Sequence, residues 1–262
     1  MQVIDLFAGC GGLSLGLEKS GMKVVHAFDN WEKSNHIYDL NFSHGISKVD
    51  VSDFENTIKN LKKYKFDLIA GGPPCQDFSS AGKRDQTLGR ADLTYSYSDV
   101  INEIKPEWFI MENVPLIKNS LILKNIVSKL SISYGLTAVV LNSAYFNVPQ
   151  SRKRFFLIGN LGGYHNALVD YFKKEATEKP MTVREYLGTS LGLTHYYRHP
   201  RNYSRRAIFS IDEPSSTVRG VNRPLPPTFK EKGMVPEGID LKDVRALSTK
   251  ERSLIQTFPK DF

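Results

Sequence analysis

Residues 2–16 read QVIDLFAGCGGLSLG and decide the fold. QVIDLF is a short aliphatic run bounded by glycine, the pattern of a buried strand. LSLG and the residues after it carry helical spacing. Between the two lie Gly9, Gly11 and Gly12, which allow a tight turn and a close approach of the backbone. Free N–H groups at a helix start attract a carboxylate or a phosphate. The dinucleotide fingerprint G-x-G-x-x-G is met at Gly9 and Gly11, but Ser14 stands at the third glycine. Taken alone, the loop fits a packing turn as well as a ligand cradle.

Working outward, the same alternation continues. KVVHAF (23–28), FDLIAG (66–71), WFIMEN (108–113), LTAVVLN (136–142) and RFFLIGN (154–160) read as further buried strands. Residues 12–20, 31–41, 52–62, 96–105 and 119–131 carry helical spacing between them. Strands alternating with helices predict an α/β fold with a doubly wound, mostly parallel sheet. Ligands of such sheets bind outside the carboxyl ends of the strands. Here those ends carry FAGCGG, FDN, GGPPC and MENV, so four chemically loaded segments arrive at one edge. The expected organisation is a cofactor-binding and catalytic domain over 1–163. A smaller irregular domain over 164–240, rich in Tyr and Arg, follows it. Residues 241–262 form a return segment, where Ser248 and Glu251 have the spacing of a capping box.

The bulk numbers are consistent with this. The chain has 262 residues, 40% of them hydrophobic, enough to bury a core. No long apolar run is present, and mean hydropathy is negative, so no membrane span and no secretory leader are expected. Two cysteines, Cys10 and Cys75, make no disulfide framework, and no metal-ligand spacing occurs. A reducing cytoplasm is the expected location. Net charge is +7, and it is uneven: residues 1–150 hold 15 Lys/Arg against 16 Asp/Glu, residues 151–262 hold 20 against 12. A neutral front and a basic back fit catalysis in one part and a polyanion on the other. A basic solvated surface alone would look the same.

Single residues then stand out. Asp29 ends the second strand, where an acid can accept from ribose hydroxyls. Asp50 follows the third strand, where a carboxylate can read an adenine amino group. Either one alone also suits a helix cap. Cys75 follows Gly71, Gly72, Pro73 and Pro74, and the prolines stiffen the turn that carries it. A thiol held at the active edge, not packed inside, suits a nucleophile. The polar stretch SSAGKRDQTLGRADLTYS (79–96) suits a closing loop. Glu112, after an apolar run at a strand's carboxyl end, is expected to be partly desolvated and so able to donate a proton near neutral pH. Arg152 and Arg154 alternate at the entrance to a strand, expected to face one side and to orient Glu112 and a polar base edge.

DLFAGCGGLSLG, GGPPCQDFS, ENV, QSRKRFFLIG and RALSTKERSLIQTFPKDF resemble five signature blocks of the DNA (cytosine-5)-methyltransferases, in that family's order. The resemblance covers nearly the whole chain. It implies a Rossmann-like S-adenosylmethionine-dependent methyltransferase domain with a smaller target-recognition domain, acting on double-stranded DNA. It places Phe7, Gly9, Gly11 and Gly12 at the methionine end of the cofactor, Asp29 at the ribose, Asp50 and Val51 at the adenine, and Gly72 and Pro74 near the methyl group. Asn30 falls where the family stacks a larger side chain on adenine, and Trp31 is the alternative. Catalysis would fall to Cys75, Glu112, Arg152 and Arg154. DNA would be met by Gln76, Ser79 and the Thr217-Val218 pair of SSTVRG, and no metal is implied. The family role that fits is the modification enzyme of a bacterial restriction-modification system, nucleoid-associated through DNA.

The chain ends at Phe262, before the family's last block. That implies a second polypeptide supplying the block, or a truncated product. Two alternatives stay open at this level. One is a catalytically incomplete DNA-binding subunit of a split methyltransferase. The other is an RNA cytosine methyltransferase of the same fold.

Overall fold

The computed structural model describes residues 1–74, 91–200, 206–226, 229, 235 and 237–262. The chain divides into two compact units. The first comprises residues 1–141 and 153–171; the second comprises 142–152 and 172–262.

The first unit is built on a seven-stranded sheet. In chain order its strands are β1 (Gln2–Leu6), β2 (Lys23–Asp29), β3 (Ile46–Lys48), β4 (Leu68–Gly71), β5 (Trp108–Asn113), β6 (Tyr134–Asn142) and, after the two-residue β7 (Gln150–Ser151), β8 (Lys153–Leu161). The spatial order is β3-β2-β1-β4-β5-β8-β6. The pairs β1/β2, β2/β3, β1/β4 and β4/β5 are parallel. The order reverses between β1 and β4, the switch point at which a doubly wound sheet opens a crevice. The expected mostly parallel sheet is therefore present, with one qualification: β8 runs antiparallel to β5, in a register that sets Glu112 opposite Phe156.

The connecting helices are α1 (Gly12–Lys19), α2 (Glu32–Asn41), α3 (Phe54–Leu61), α4 (Ala91–Ile104) and α5 (Leu121–Leu130). Strand alternation sorts the core into two faces. Ile4, Leu6 and Ile69 pack with Leu61, Ile101 and Ile126 from α3, α4 and α5. Val3, Leu68 and Ala70, one residue out of phase, pack with Leu17 of α1. Asp53 caps α3 and Ser120 caps α5 through their side chains. Helix α4 begins at Ala91, so the stretch expected to be loop up to residue 96 is helical from 91 onward. Within it Tyr97 is fully buried, and its hydroxyl donates to the carbonyls of Ile69 (3.1 Å) and Ile110 (2.9 Å), fixing the helix to the sheet.

The second unit has short elements. Strand β7 pairs in parallel with β11 (Ser215–Ser216), while β9 (His195–Tyr197) lies between β10 (Ile208–Ser210) and β12 (Arg245–Ala246). The helices are α6 (Val169–Glu175), which runs across the division between the units, α7 (Val183–Leu187) and α8 (Thr249–Ile255). The expected capping box at Ser248 and Glu251 forms, and Thr182 and Glu185 make a second one. Among the described residues no helix is long and apolar enough to cross a membrane.

Candidate active site

The glycine turn after β1 holds three residues in the left-handed region: Phe7 (φ 59°), Gly9 (φ 56°) and Gly11 (φ 94°). A side chain at Gly11 would collide with the Phe42 ring, 2.1 Å from where its Cβ would lie. At Gly9 the space is open, with nothing within 4 Å of a Cβ. Gly11 therefore needs to be glycine for packing, and Gly9 leaves room above the loop. Gly12 opens α1, for which Gly11 offers no side-chain cap.

Asp29 ends β2 and grips this loop. Its carboxylate accepts from the Gly9 N–H (2.9 Å) and the Trp31 N–H (2.7 Å). Asp50, beyond β3, accepts from the Asn30 amide (2.9 Å) and from the hydroxyl and N–H of Ser52 (2.6 and 3.0 Å). Each carboxylate has about four lone-pair positions, so both keep capacity for a further donor. Val51 is buried beside Asp50, and the Trp31 side chain is 65% exposed.

At the next strand ends, Gly71 is forced by crowding: a Cβ would lie 2.8 Å from the Tyr97 ring and 2.9 Å from the Leu6 carbonyl. Gly72 faces Glu112, whose Oε2 lies 3.3 Å from where a Cβ would sit. Asn113 donates to the Pro73 carbonyl (3.4 Å) and accepts from the Val114 N–H (2.8 Å), tying the end of β5 to the proline turn that runs on to Pro74. Glu112 pairs with Arg154 of β8, Nε to Oε1 at 2.8 Å. The Glu112 side chain is 27% exposed and lies beside the guanidinium. Antiparallel β8 brings Arg154 to Glu112 from across the strand pair.

Arg152 does not share a strand with Arg154: it falls at the break between β7 and β8. In the second unit, its carbonyl accepts from the Ser143 N–H (3.0 Å). The Thr217 hydroxyl donates to the Ser151 carbonyl (3.0 Å), and the Val218 N–H donates to Gln150 Oε1 (3.2 Å). The Thr217-Val218 pair is thus locked to the strand that precedes Arg152. Cys75, Gln76 and Ser79 lie outside the described residues.

The family model for C-5 cytosine-specific DNA methylases matches residues 1–262. The chain belongs to that family. It is 56% identical to the Type II methyltransferase M.HindV of Haemophilus influenzae over its full length, covering 86% of that protein. It is 48% identical to the Type II methyltransferase M.HgiDI of Herpetosiphon aurantiacus, covering 84% of it. In fold it is similar to the S. pombe Dnmt2 methyltransferase, with a TM-score of 0.58 and 23% identity over 78% of this chain and 61% of the other.

Members of a DNA cytosine methylase family use S-adenosylmethionine generally, and the residues here fit it: open space above Gly9, a helix start without a side-chain cap, and two carboxylates, one ending β2 and one beyond β3. Two structural contacts escaped the sequence reading. Asn113 anchors the proline turn, and the ENV segment that contains it was its only signal. Gln150 fixes Val218 across 68 positions, and nothing local announces that contact.

Proposed function

We propose that this chain transfers a methyl group from S-adenosylmethionine to carbon 5 of a cytosine flipped out of double-stranded DNA, as the modification enzyme of a type II restriction-modification system. The observation that carries the reading is the Glu112–Arg154 pair at the carboxyl edge of the sheet, against Gly72 and three positions from the Cys75 turn. S-adenosylmethionine supplies an electrophilic methyl group. Phe7, Gly9, Gly11 and Gly12 hold its methionine end, Asp29 the ribose, Asp50 and Val51 the adenine, with Asn30 fixing Asp50; Gly72 and Pro74 line the methyl side.

Cytosine carbon 5 is a weak nucleophile. The Cys75 thiolate adds to carbon 6 as the carbon 5–carbon 6 π bond opens, and Glu112 gives a proton to ring nitrogen 3 to hold the charge that enters the ring. Arg154 neutralises Glu112 and steadies the oxygen at position 2, while Arg152 orders the adjoining segment. Once carbon 5 is methylated, loss of its proton returns electrons to the ring and the carbon–sulfur bond breaks, freeing the thiolate. A stacked base cannot meet these groups, so it must leave the duplex, at a cost of a few kcal/mol. Gln76, Ser79, Thr217 and Val218 offset that cost and choose the base, and the basic second half holds phosphates.

Duplex DNA carrying 5-fluorocytosine tests this reading, because fluorine cannot leave as a proton does. With S-adenosylmethionine, a covalent protein–DNA adduct at Cys75 is expected by mass spectrometry, and none with Cys75→Ser. Absence of the adduct, with bound DNA and cofactor both demonstrated, overturns the reading.

A further inference from the structure

Asp5, Ser14 and Tyr38 are each fully buried, and the methylation chemistry above uses none of them. They form one line of hydrogen bonds. Asp5 Oδ2 lies 2.6 Å from Ser14 Oγ, which lies 2.7 Å from the Tyr38 hydroxyl. That hydroxyl lies 2.6 Å from His44 Nε2, and His44 Nδ1 lies 3.3 Å from Glu18 Oε1. The line runs beneath the glycine loop: Tyr38 and Phe42 are the side chains that leave no room for a Cβ at Gly11. Ser14 is the residue that stands at the fingerprint's third glycine.

Counting hydrogens constrains the line. It has four links, and each needs one hydrogen. Ser14, Tyr38 and a neutral His44 supply one each. Ionised Asp5 and Glu18 supply none. A further proton is required, and with Glu18 left ionised only two places for it complete every link; a proton on Glu18 would complete them too, with His44 neutral and the inner hydrogens pointing toward Asp5. On Asp5, all hydrogens point outward toward Glu18 and His44 is neutral. On His44, Asp5 is ionised and the three inner hydrogens point inward. The two forms interconvert without gain or loss of a proton: Asp5 gives to Ser14, Ser14 to Tyr38, Tyr38 to His44. Remove that proton, and one pair of heavy atoms faces across a link with nothing between them.

We propose that Ser14, Tyr38 and His44 are positioning residues for the glycine loop, holding it through a single proton shared between Asp5 and His44. This rests on the loop being the S-adenosylmethionine site. The surroundings favour the proton on Asp5. Its Oδ1 has no partner, which costs less on a neutral acid than on a carboxylate. Burial pushes Asp5 up to about 7, against the pull of Ser14, and Asp29 adds to the push. Burial lowers His44, with Glu18 opposing and His26 assisting. Tyr97 faces Asp5, Asp39 faces Tyr38 and His26, and Lys63 faces His26. Because the folded Asp5 keeps its proton above the ordinary carboxyl range, this support is present at low pH and is lost as pH rises through about 7.

Two measurements on the full chain test the proposal. The first follows the His44 imidazole by NMR across pH, with no cofactor present. In the wild type, coupling to Asp5 should raise its titration by about one pH unit relative to Asp5→Asn, and Tyr38→Phe should remove the difference. The second is equilibrium binding of S-adenosylmethionine against pH. Wild-type affinity should fall with rising pH, and Tyr38→Phe should bind about tenfold more weakly at pH 6. Asp5→Asn, whose amide can donate to Ser14 at any pH, should bind with no pH dependence. Identical His44 titrations in wild type and Asp5→Asn overturn the shared proton. If Asp5→Asn does not fold, identical titrations in wild type and Ser14→Ala overturn it equally. Coupled titrations in a chain that binds no S-adenosylmethionine leave the shared proton standing and overturn the cofactor reading instead.

Discussion

The two units keep their shape by different means. The first buries long aliphatic strands on both faces of its sheet, with one large cluster from Ile4 to Leu157 against three helices and a smaller one against α1. The second has strands of two or three residues and two small apolar clusters, around Tyr196 and Tyr197. Arginines supply much of the rest. Arg184 pairs with Asp212, Arg206 with Glu213, and Arg245 with Glu251. Arg198 donates to the Thr217 carbonyl (2.8 Å), and Arg252 to the Arg219 carbonyl (3.0 Å). The stretch that carries Thr217 and Val218 is thus held by guanidinium groups and by Gln150. The basic residues that the sequence assigns to a polyanion are, in these cases, already spent on the fold. A count of cations alone therefore does not separate those that hold the fold from those left for a polyanion.

The contrast can be broken hardest in the first unit. Phe109 is fully buried in its core, and Phe109→Ala should destabilise that unit by about 3–5 kcal/mol, read as a lower denaturation midpoint. Gly159 lies opposite Phe109 in the β5/β8 register, with a Cβ only 2.1 Å from the ring. Gly159→Ala should cost about 1–3 kcal/mol through overpacking, again by denaturation. In the second unit, Ser248→Ala removes a cap of α8 and should cost about 1 kcal/mol. The smallest effect sharpens the comparison most. The Arg245–Glu251 pair, half exposed on the arginine side, should contribute about 0.2–1 kcal/mol and weaken with salt. Arg245 and the Ser248 cap hold Glu251 below its ordinary carboxyl value of 4.5. Its stabilisation is complete above that value and is lost as pH falls through the lower folded one. Thermal melts in salt and acid should move the second unit's transition and leave the core transition of the first.

The sheet was legible because its strands are apolar runs ended by glycine or acid, and that pattern is local. Gly9, Gly11, Asp29, Asp50 and Glu112 were legible as strand-end residues for the same reason. What could not be read depends on contacts distant in sequence. The docking of α4 rests on Tyr97 reaching two strands. Arg154 was legible as a partner of Glu112, but the antiparallel direction of the β8 that carries it is encoded by no strand pattern. Ser14 looked like a defect in a nucleotide fingerprint; its hydroxyl has a purpose only once α2 brings Tyr38 over it. Arg152 and Arg154 looked like one alternating pair, but strand pairing with Ser215–Ser216 ends at Ser151 and splits them.

Residues 142–152 belong to the second unit although they interrupt two strands of the first. The polypeptide therefore crosses the division three times, and no one peptide bond separates the two bodies. Proteolytic excision of either would leave a stub: cutting after residue 171 strands an eleven-residue excursion whose ladder partner among the described residues, Ser215–Ser216, has been carried away. During synthesis that excursion emerges more than sixty residues before its partner, and must wait, unpaired, for the ribosome to deliver it.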